Sequence, residues 1–385
     1  MLAADRPLAP VAIRTDLGAI FVSMELSKST WLVTSLSPGA GERMSRHTIR
    51  AGDVAGLSER FALLRAKAKK RAGQDFAIIV IQEAGLDGFW IHRVLQEEGI
   101  ESHVVDPASI ATSRRRRRAK TDKIDGEALV RALLAYKRGE PRVCAMVRAP
   151  SVAEEDQRRL NRERSVLMGE RTRHINRIKG LLFSQGITTY EPIRRDRRER
   201  LDQLRTGDGR VLAPHIRAQI GRELDRLELV IAQVKELEAE RDAVLASEAS
   251  DRPMAMLTSL KGIGAESAAI LTSEGLFRHF DNRRQLAAYA GLAPTPWQSG
   301  SIRHEQGVSK AGNARLRTAM VELSWLWLRY QPDTRLSRWF HERVERNGGR
   351  LKKPMIVALA RKLLVALWKY ATAGVVIKGA IIKTA

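Results

Sequence analysis

Three β-like runs between residues 18 and 50, an alternation of helix and strand as far as residue 106, and helical periodicity over most of the remainder predict an α/β domain followed by an all-α region. The runs Gly18 to Glu25, Thr30 to Ser37 and Arg43 to Arg50 are separated by short polar or Pro-Gly breaks, which predicts an antiparallel meander. Helical patterning follows from Ala55 to Lys70. Residues Phe76 to Glu83 then form a nearly continuous run of apolar β-formers, as a buried strand requires, and Gly85 and Gly88 end it. An amphipathic helix over Phe89 to Glu98 leads into a strand from Ser102 to Asp106, closed by Pro107. A meander followed by alternating helix and strand describes a sheet of ribonuclease-H type. No GxGxxG stands where a dinucleotide fold would need one.

From Ser151 to Ser184 the pattern is helical and strongly basic: Arg158, Arg159, Arg162, Arg164, Arg171, Arg173, Arg177 and Lys179 alternate with Leu160, Leu167, Ile175, Ile178 and Leu182. The arginines are predicted to face solvent or nucleic acid. Ile220, Leu224, Leu227, Ile231 and Val234 then recur at heptad spacing. This predicts a coiled-coil arm, paired either with another chain or back on the preceding helix. Beyond Pro253, Leu260-Lys-Gly-Ile-Gly-Ala265 sets a glycine turn between two helices, the helix-hairpin-helix signature. It makes Lys261, Gly262 and Gly264 candidate contacts to a phosphate backbone. Ser309 to Arg317 opens another basic helix, with Lys310 and Arg315 as further contacts, and Pro354 to Ala373 is helical. The predicted organisation is a tail over 1–17, a sheet domain over 18–148, a basic and coiled-coil region over 149–250, and a helical C-terminal domain over 251–385.

The 385 residues carry 67 Lys and Arg against 44 Asp and Glu, a formal net charge of +23, while 44% hydrophobic content supports ordinary cores. So large a basic excess on a foldable chain makes nucleic acid the expected partner. No apolar run is long enough to span a bilayer, and the first residues lack the apolar stretch of a signal peptide. Cys144 is the only cysteine, which excludes an intrachain disulfide and a cysteine-based zinc site and suits a reducing cytoplasm.

The most informative segment is residues 114–125. Arg114, Arg115, Arg116, Arg117 and Arg118, with Lys120, repel one another and need a polyanion; directly after them come Asp122 and Asp125 at helical i,i+3 spacing. Two carboxylates on one helix face require a proton or a metal between them. Glu25 and Glu83 end two predicted strands that lie side by side in a ribonuclease-H sheet, so both can reach the same edge. Each of the four alone reads as a surface charge or a helix cap. Together, in this order, they predict a site for one or two Mg²⁺ or Mn²⁺ ions and phosphodiester chemistry. Trp325, Trp327, Trp339 and Trp368, at helical spacing among leucines, are expected in the core. His103, His174, His279 and His304 have no ligand spacing.

The order Met24-Glu-Leu-Ser-Lys28, Gln82-Glu-Ala-Gly85, Thr121-Asp-Lys-Ile-Asp-Gly-Glu-Ala128, Leu260-Lys-Gly-Ile-Gly264 and Gly291-Leu-Ala-Pro-Thr-Pro-Trp-Gln-Ser-Gly300 resembles the DEDD transposases of bacterial insertion sequences. These are the IS-110 group, whose elements encode a bridge RNA, and the resemblance runs from about residue 18 to 330. It implies a RuvC-like N-terminal domain, a helical connecting arm and a C-terminal transposase domain bearing a nucleophilic serine. Ser299, in Trp-Gln-Ser-Gly-Ser, matches that serine; Ser301 and Ser309 are alternatives. One departure is that Glu25 stands where the family usually has Asp, reaching about one methylene further. The implied activity is metal-dependent strand cleavage and exchange on donor and target DNA, with a structured bridge RNA choosing the sites. Exchange of two duplexes needs four strand breaks, so a dimer assembling to a tetramer is expected in the bacterial cytoplasm, at the nucleoid. Two other readings use the same residues. A structure-selective nuclease resembling Holliday-junction resolvases would employ water in place of Ser299, and a non-catalytic scaffold would bind nucleic acid with its carboxylates incidental.

Overall fold

The computed structural model describes residues 18–41, 43–85, 88–110, 122–140, 143–247, 252–278, 280–299 and 302–383. The chain divides after Pro150 into two compact units.

The first unit is a six-stranded mixed sheet in the order β3-β2-β1-β4-β5-β6. β1 (Ala19–Leu26), β2 (Thr30–Leu36) and β3 (Ser45–Arg50) form the antiparallel meander; β4 (Ala77–Glu83) and β5 (Glu101–Val105) run parallel to β1, and the short β6 (Met146–Val147) pairs antiparallel to β5. Strand alternation sorts the side chains to two faces. Ile20, Val22, Met24, Ile78 and Val80 pack with Leu57, Phe61 and Leu64 of α1 (Val54–Ala72) and Ile91 and Leu95 of α2 (Trp90–Glu97). Ala19, Phe21, Ile79, Ile81 and Val105 pack with Leu129, Val130 and Leu133 of α3 (Asp122–Lys137) on the opposite face. This mixed sheet, covered on both faces, is compatible with a ribonuclease-H-like fold. The edge strand β6 has no counterpart in the sequence expectation.

The second unit is mostly helical. α4 (Val152–Phe183) starts at a capping box in which the Ser151 hydroxyl accepts from the Glu154 amide while the Glu154 carboxylate accepts from the Ser151 amide. α5 (Arg197–Gln203) and α6 (Pro214–Ser247) follow. Leu167 of α4 packs with Val230 and Val234 of α6, whereas Ile178 and Leu182 pack with Ile220, Leu224 and Leu227, so the two long helices run antiparallel. The heptad stripe of α6 is thus covered, at least in part, by the preceding helix.

Arg159, Arg173, Arg177 and Lys179 of α4 are exposed as expected, but several of the helix's basic side chains meet carboxylates of the same unit. Arg164 pairs with Glu238 at 2.7 Å and also with Glu266, Arg177 with Glu223 at 3.0 Å, Lys179 with Glu191 at 2.8 Å, and Arg162 with Glu274 at 2.8 Å. Arg158 is only 7% exposed, its guanidinium 3.8 Å from the Phe277 ring centroid. Much of this helix's charge is neutralised within the chain.

The remainder comprises α7 (Arg252–Ser259), α8 (Ala265–Leu271) with a π turn at Thr272–Leu276, α9 (Arg283–Tyr289), a hairpin of β7 (Pro294–Ser299) and β8 (Ile302–Val308), then α10 (Ala314–Tyr330), α11 (Arg335–Glu345) and α12 (Lys352–Ala373). Leu257, Leu260, Ile263, Leu286, Leu316, Met320, Trp327, Leu363, Leu364 and Leu367 form its core. Trp327 is fully buried and donates its indole N–H to Thr334 Oγ1 at 3.0 Å, and Trp339 and Trp368 are partly buried. Trp325 is exposed. No helix among the described residues is long and apolar enough to cross a membrane.

Candidate active site

β1 and β4 run side by side in parallel, with Ser23 opposite Ile81 and Met24 opposite Gln82. Glu25 and Glu83 are the next residues of each strand. They therefore stand adjacent at the C-terminal edge of the sheet, where open α/β sheets bind ligands. Alternation fixes their side. Ser23, two residues before Glu25, donates its hydroxyl to the Gly126 carbonyl of α3 at 2.8 Å, and Ile81, two before Glu83, lies in the core shared with α3. Both glutamates thus belong to the face that α3 covers.

α3 comes unusually close to the sheet because Gly126 has no side chain. A methyl on Gly126 would lie 2.6 Å from Thr34 Oγ1 and 3.2 Å from Glu25 Oε1, so any larger residue would push the helix off β1 and β2. Glu127 pairs with Arg46 of β3, tying the same turn to the outer meander. Asp125 precedes the glycine and Asp122 opens the helix one turn earlier, which places both at the end of α3 beside Glu25. The side chain of Asp122 lies outside the described residues, as do Arg114 to Arg118 and Lys120. Sequence reasoning passed over Gly126, Thr34 and the Arg46–Glu127 pair, although a glycine on the apolar stripe of an otherwise good helix signals a close approach.

Glu25, Glu83 and Asp125 are hard oxygen donors, the right kind for Mg²⁺ or Mn²⁺. The Thr34 hydroxyl, which like Glu25 Oε1 lies against Gly126, is buried and has no hydrogen-bond partner. Among the described side chains, which do not include that of Asp122, no group of three or more His, Cys, Asp or Glu is gathered closely enough to hold an ion. His103 instead bonds Glu101 at 2.6 Å and His174 bonds Glu223 at 2.7 Å.

Ser299 belongs to the second unit. It ends β7 and pairs with Ile302 of β8, so it borders the hairpin tip; its side chain and Ser301 lie outside the described residues. The base of the hairpin is firmly held. The Ser309 amide donates to the Ala293 carbonyl at 2.9 Å, the Asn313 amide to the Tyr289 carbonyl at 2.6 Å, and Arg317 to the Lys310 carbonyl at 2.7 Å. Lys310 adopts φ 56°, rare for a residue with a side chain, and Arg315 is exposed in the first turn of α10. Asn313 caps α10 through the Leu316 amide and donates to the Glu274 carboxylate at 2.8 Å. Glu274 is 2% exposed and accepts two bonds from Arg162. Burial alone would raise its carboxyl, but the bonds from Arg162 and Asn313 and the nearby charges of Arg162 and Arg158 hold it below the usual carboxylate range.

The glycine turn joins α7 to α8 as expected, with Gly262 at φ +88° against Tyr330 and Gly264 as the N-cap. Its backbone is less open than the sequence suggested. The Lys261 amide donates to Ile381 at 3.0 Å, its carbonyl accepts from Gln331 at 2.9 Å, and the Ile263 carbonyl accepts from Lys383. The exposed Lys261 side chain and Gly264 remain at the surface.

Residues 40–185 match a family model described as a DEDD transposase, and residues 254–338 match one described as the transposase IS116/IS110/IS902 family. The chain is 69% identical, over the whole length of both proteins, to "Putative transposase y4rJ" of Sinorhizobium fredii. It is 27% identical to the transposase for insertion sequence element IS1111A of Coxiella burnetii, over 76% of this chain and 77% of that one. A pilin gene-inverting protein of Moraxella bovis is 34% identical over 28% of this chain and 34% of its own. Matched by both family models and by a transposase at 69% identity over its whole length, the chain belongs to the IS116/IS110/IS902 family of transposases.

Proposed function

We propose that this transposase cuts and rejoins DNA by metal-assisted serine chemistry at sites chosen by a structured bridge RNA. The observation that carries the chemical part is the placement of Glu25 and Glu83 side by side on the sheet face against which Gly126 seats the Asp122–Asp125 end of α3. Glu25, Glu83, Asp122 and Asp125 would hold one or two divalent cations. Bound there, the cation supplies Lewis-acid stabilisation of charge on the phosphate oxygens. The protein's own nucleophile is Ser299: its Oγ forms a bond to phosphorus as the P–O bond to one sugar breaks, and the serine proton passes to the departing oxygen. The phosphoserine link conserves the bond energy, so reversal with a different sugar hydroxyl rejoins strands without a nucleotide cofactor. The pilin gene-inverting relative supports a reaction that rejoins what it cuts. The RNA guide and the assembly into dimers and tetramers rest on the resemblance of the motifs to the IS-110 group. Lys261, Gly264, Lys310 and Arg315 are proposed backbone contacts.

The test is to trap a covalent protein–DNA adduct on denaturing gels with donor DNA, Mg²⁺ and the candidate RNA. An adduct that requires Ser299 and Asp122 supports the reading. Metal-dependent cleavage that survives Ser299→Ala without an adduct would replace it with hydrolysis by water.

A further inference from the structure

The basic excess of this chain is not evenly neutralised. Along α4 and α5, Arg162, Arg164, Arg177, Arg197 and Arg198 each meet a carboxylate within the second unit. On α11, Arg335, Trp339 and Arg343 recur every fourth residue and so share one stripe. α11 packs against α12 through Phe340, Ile356 and Leu359, which brings Lys362 of α12 over the Trp339 ring, its ammonium 4.7 Å from the centroid. Arg361 is the neighbour of Lys362, and Arg283 stands at the start of α9, which also packs on α12.

The crowding has an electrostatic signature. The Lys362 ammonium is pushed below its usual range by burial first, and then by the positive charges of Arg361, Arg335, Arg343 and Arg283. Among the described residues none of these five cations makes an ion pair with a carboxylate, although Glu342 and Glu345 lie on α11 itself. Like charges gathered without counter-charge destabilise the free protein. Such an arrangement persists where a polyanion supplies the missing charge.

We propose that Arg335, Arg343, Arg361 and Arg283, gathered about Lys362 where it covers Trp339, form with it a binding surface for the phosphate backbone of duplex DNA. None of its residues belongs to the glycine turn or to the Lys310–Arg315 helix start considered above. The contact is with phosphates rather than bases, so it contributes affinity and orientation without sequence choice. Duplex DNA is the partner proposed, because the unpaired cations lack the counter-charge that its phosphates supply and a transposase acts on DNA; RNA presents the same phosphates and is distinguished by the test. The inference rests on the transposase reading only in that the protein must handle nucleic acid.

The experiment measures affinity against salt by fluorescence anisotropy, with the full chain and a duplex DNA of arbitrary sequence, then with a folded RNA. The triple variant Arg335→Gln, Arg343→Gln, Lys362→Gln is compared with a charge-matched control, Arg194→Gln, Arg210→Gln, Arg217→Gln, whose arginines are exposed but paired with Asp196, Asp208 and Asp202. The cluster variant should lose about 2 to 3 units of the log–log salt slope and at least roughly tenfold in DNA affinity; the control should lose less than about one unit. A larger loss with RNA than with DNA assigns the surface to RNA. Because the substitutions relieve repulsion, the melting temperature should hold or rise; should it fall, Arg343→Gln alone, an exposed position, must still cost about one unit of slope. Equal, small losses in both variants, or binding of an acidic polypeptide lost while DNA binding persists, would overturn the proposal. Ser299→Ala must keep the full slope while losing any adduct, so the surface and the catalytic reading fail independently.

Discussion

Gly126 is held against Glu25 so closely that a methyl group on its α-carbon would stand 3.2 Å from Glu25 Oε1 and 2.6 Å from Thr34 Oγ1. The contact sets the distance between the end of α3 and the sheet edge. Gly126→Ala should therefore cost about 1 to 3 kcal/mol by overpacking and reduce strand cleavage by at least tenfold. Combining it with Thr34→Ala, which removes the nearest atom, should recover part of the stability. Thermal unfolding of the single and double variants would show this as non-additivity; simple addition of the two losses would mean that the helix does not rest on this contact.

Glu25→Gln and Asp125→Asn should each lower DNA cleavage by on the order of 100-fold while leaving DNA affinity unchanged or slightly tighter, since each removes a negative charge from the neighbourhood of a phosphate. Cleavage and anisotropy measured on the same preparations separate the two effects. Cleavage that persists in both variants would remove the carboxylates from the chemistry.

Glu274 makes a pH prediction. Its folded carboxyl lies below the unfolded value, so the stability it contributes is present above the ordinary value of 4.5 and is lost as pH falls through the lower folded one. Glu274→Gln should cost about 2 kcal/mol at neutral pH, less than for a wholly buried pair because the Arg162 side chain is 43% exposed. Plotted against pH, the melting temperatures of wild type and variant should converge below about pH 4.5. A constant gap down to strong acid would show that the charge of Glu274 is not what stabilises the base of the hairpin.

The two glycines of the 260–264 turn should behave differently. Gly262 sits at φ +88° with Tyr330 Cβ 2.8 Å from where a side chain would begin, so Gly262→Ala should destabilise by roughly 2 kcal/mol or more. Gly264 has nothing within 4 Å of that position, and its φ of −93° suits any residue. Gly264→Ala should fold normally, and a fall in its DNA affinity alone would identify a phosphate contact there.

How much of this was legible depended on whether the signal was local. The runs Ala-Ile-Phe-Val and Ile-Ile-Val-Ile announce β1 and β4 and place Glu25 and Glu83 at their ends, because buried parallel strands need such runs. The heptad of Ile220 to Val234 shows one apolar stripe; that α4 covers it is a fact of tertiary packing. The β7–β8 hairpin was hidden because Pro294, Pro296 and Gly307 break the alternation that reveals strands, and the irregularity in its pairing falls between those two prolines. Charge was visible and its destination was not: Arg162, Arg164 and Arg177 meet carboxylates 46 to 112 residues away. The unpaired cluster about Lys362 was equally unreadable, since what distinguishes it is the absence of such partners among the described residues.

Lys383 donates its ammonium to the carbonyls of Thr258 and Ile263, and Ile382 bridges Leu260. The order of synthesis gives these contacts a further meaning. The glycine turn leaves the ribosome about 120 residues before the segment that locks it, whereas every strand of the N-terminal sheet has been made once Val147 emerges. The sheet with its carboxylates can close while translation continues; the turn must wait for residues 381–383. A nascent chain can therefore hold a finished N-terminal sheet while the turn of its C-terminal unit still lacks the segment that locks it, so the two units of each molecule mature at different times.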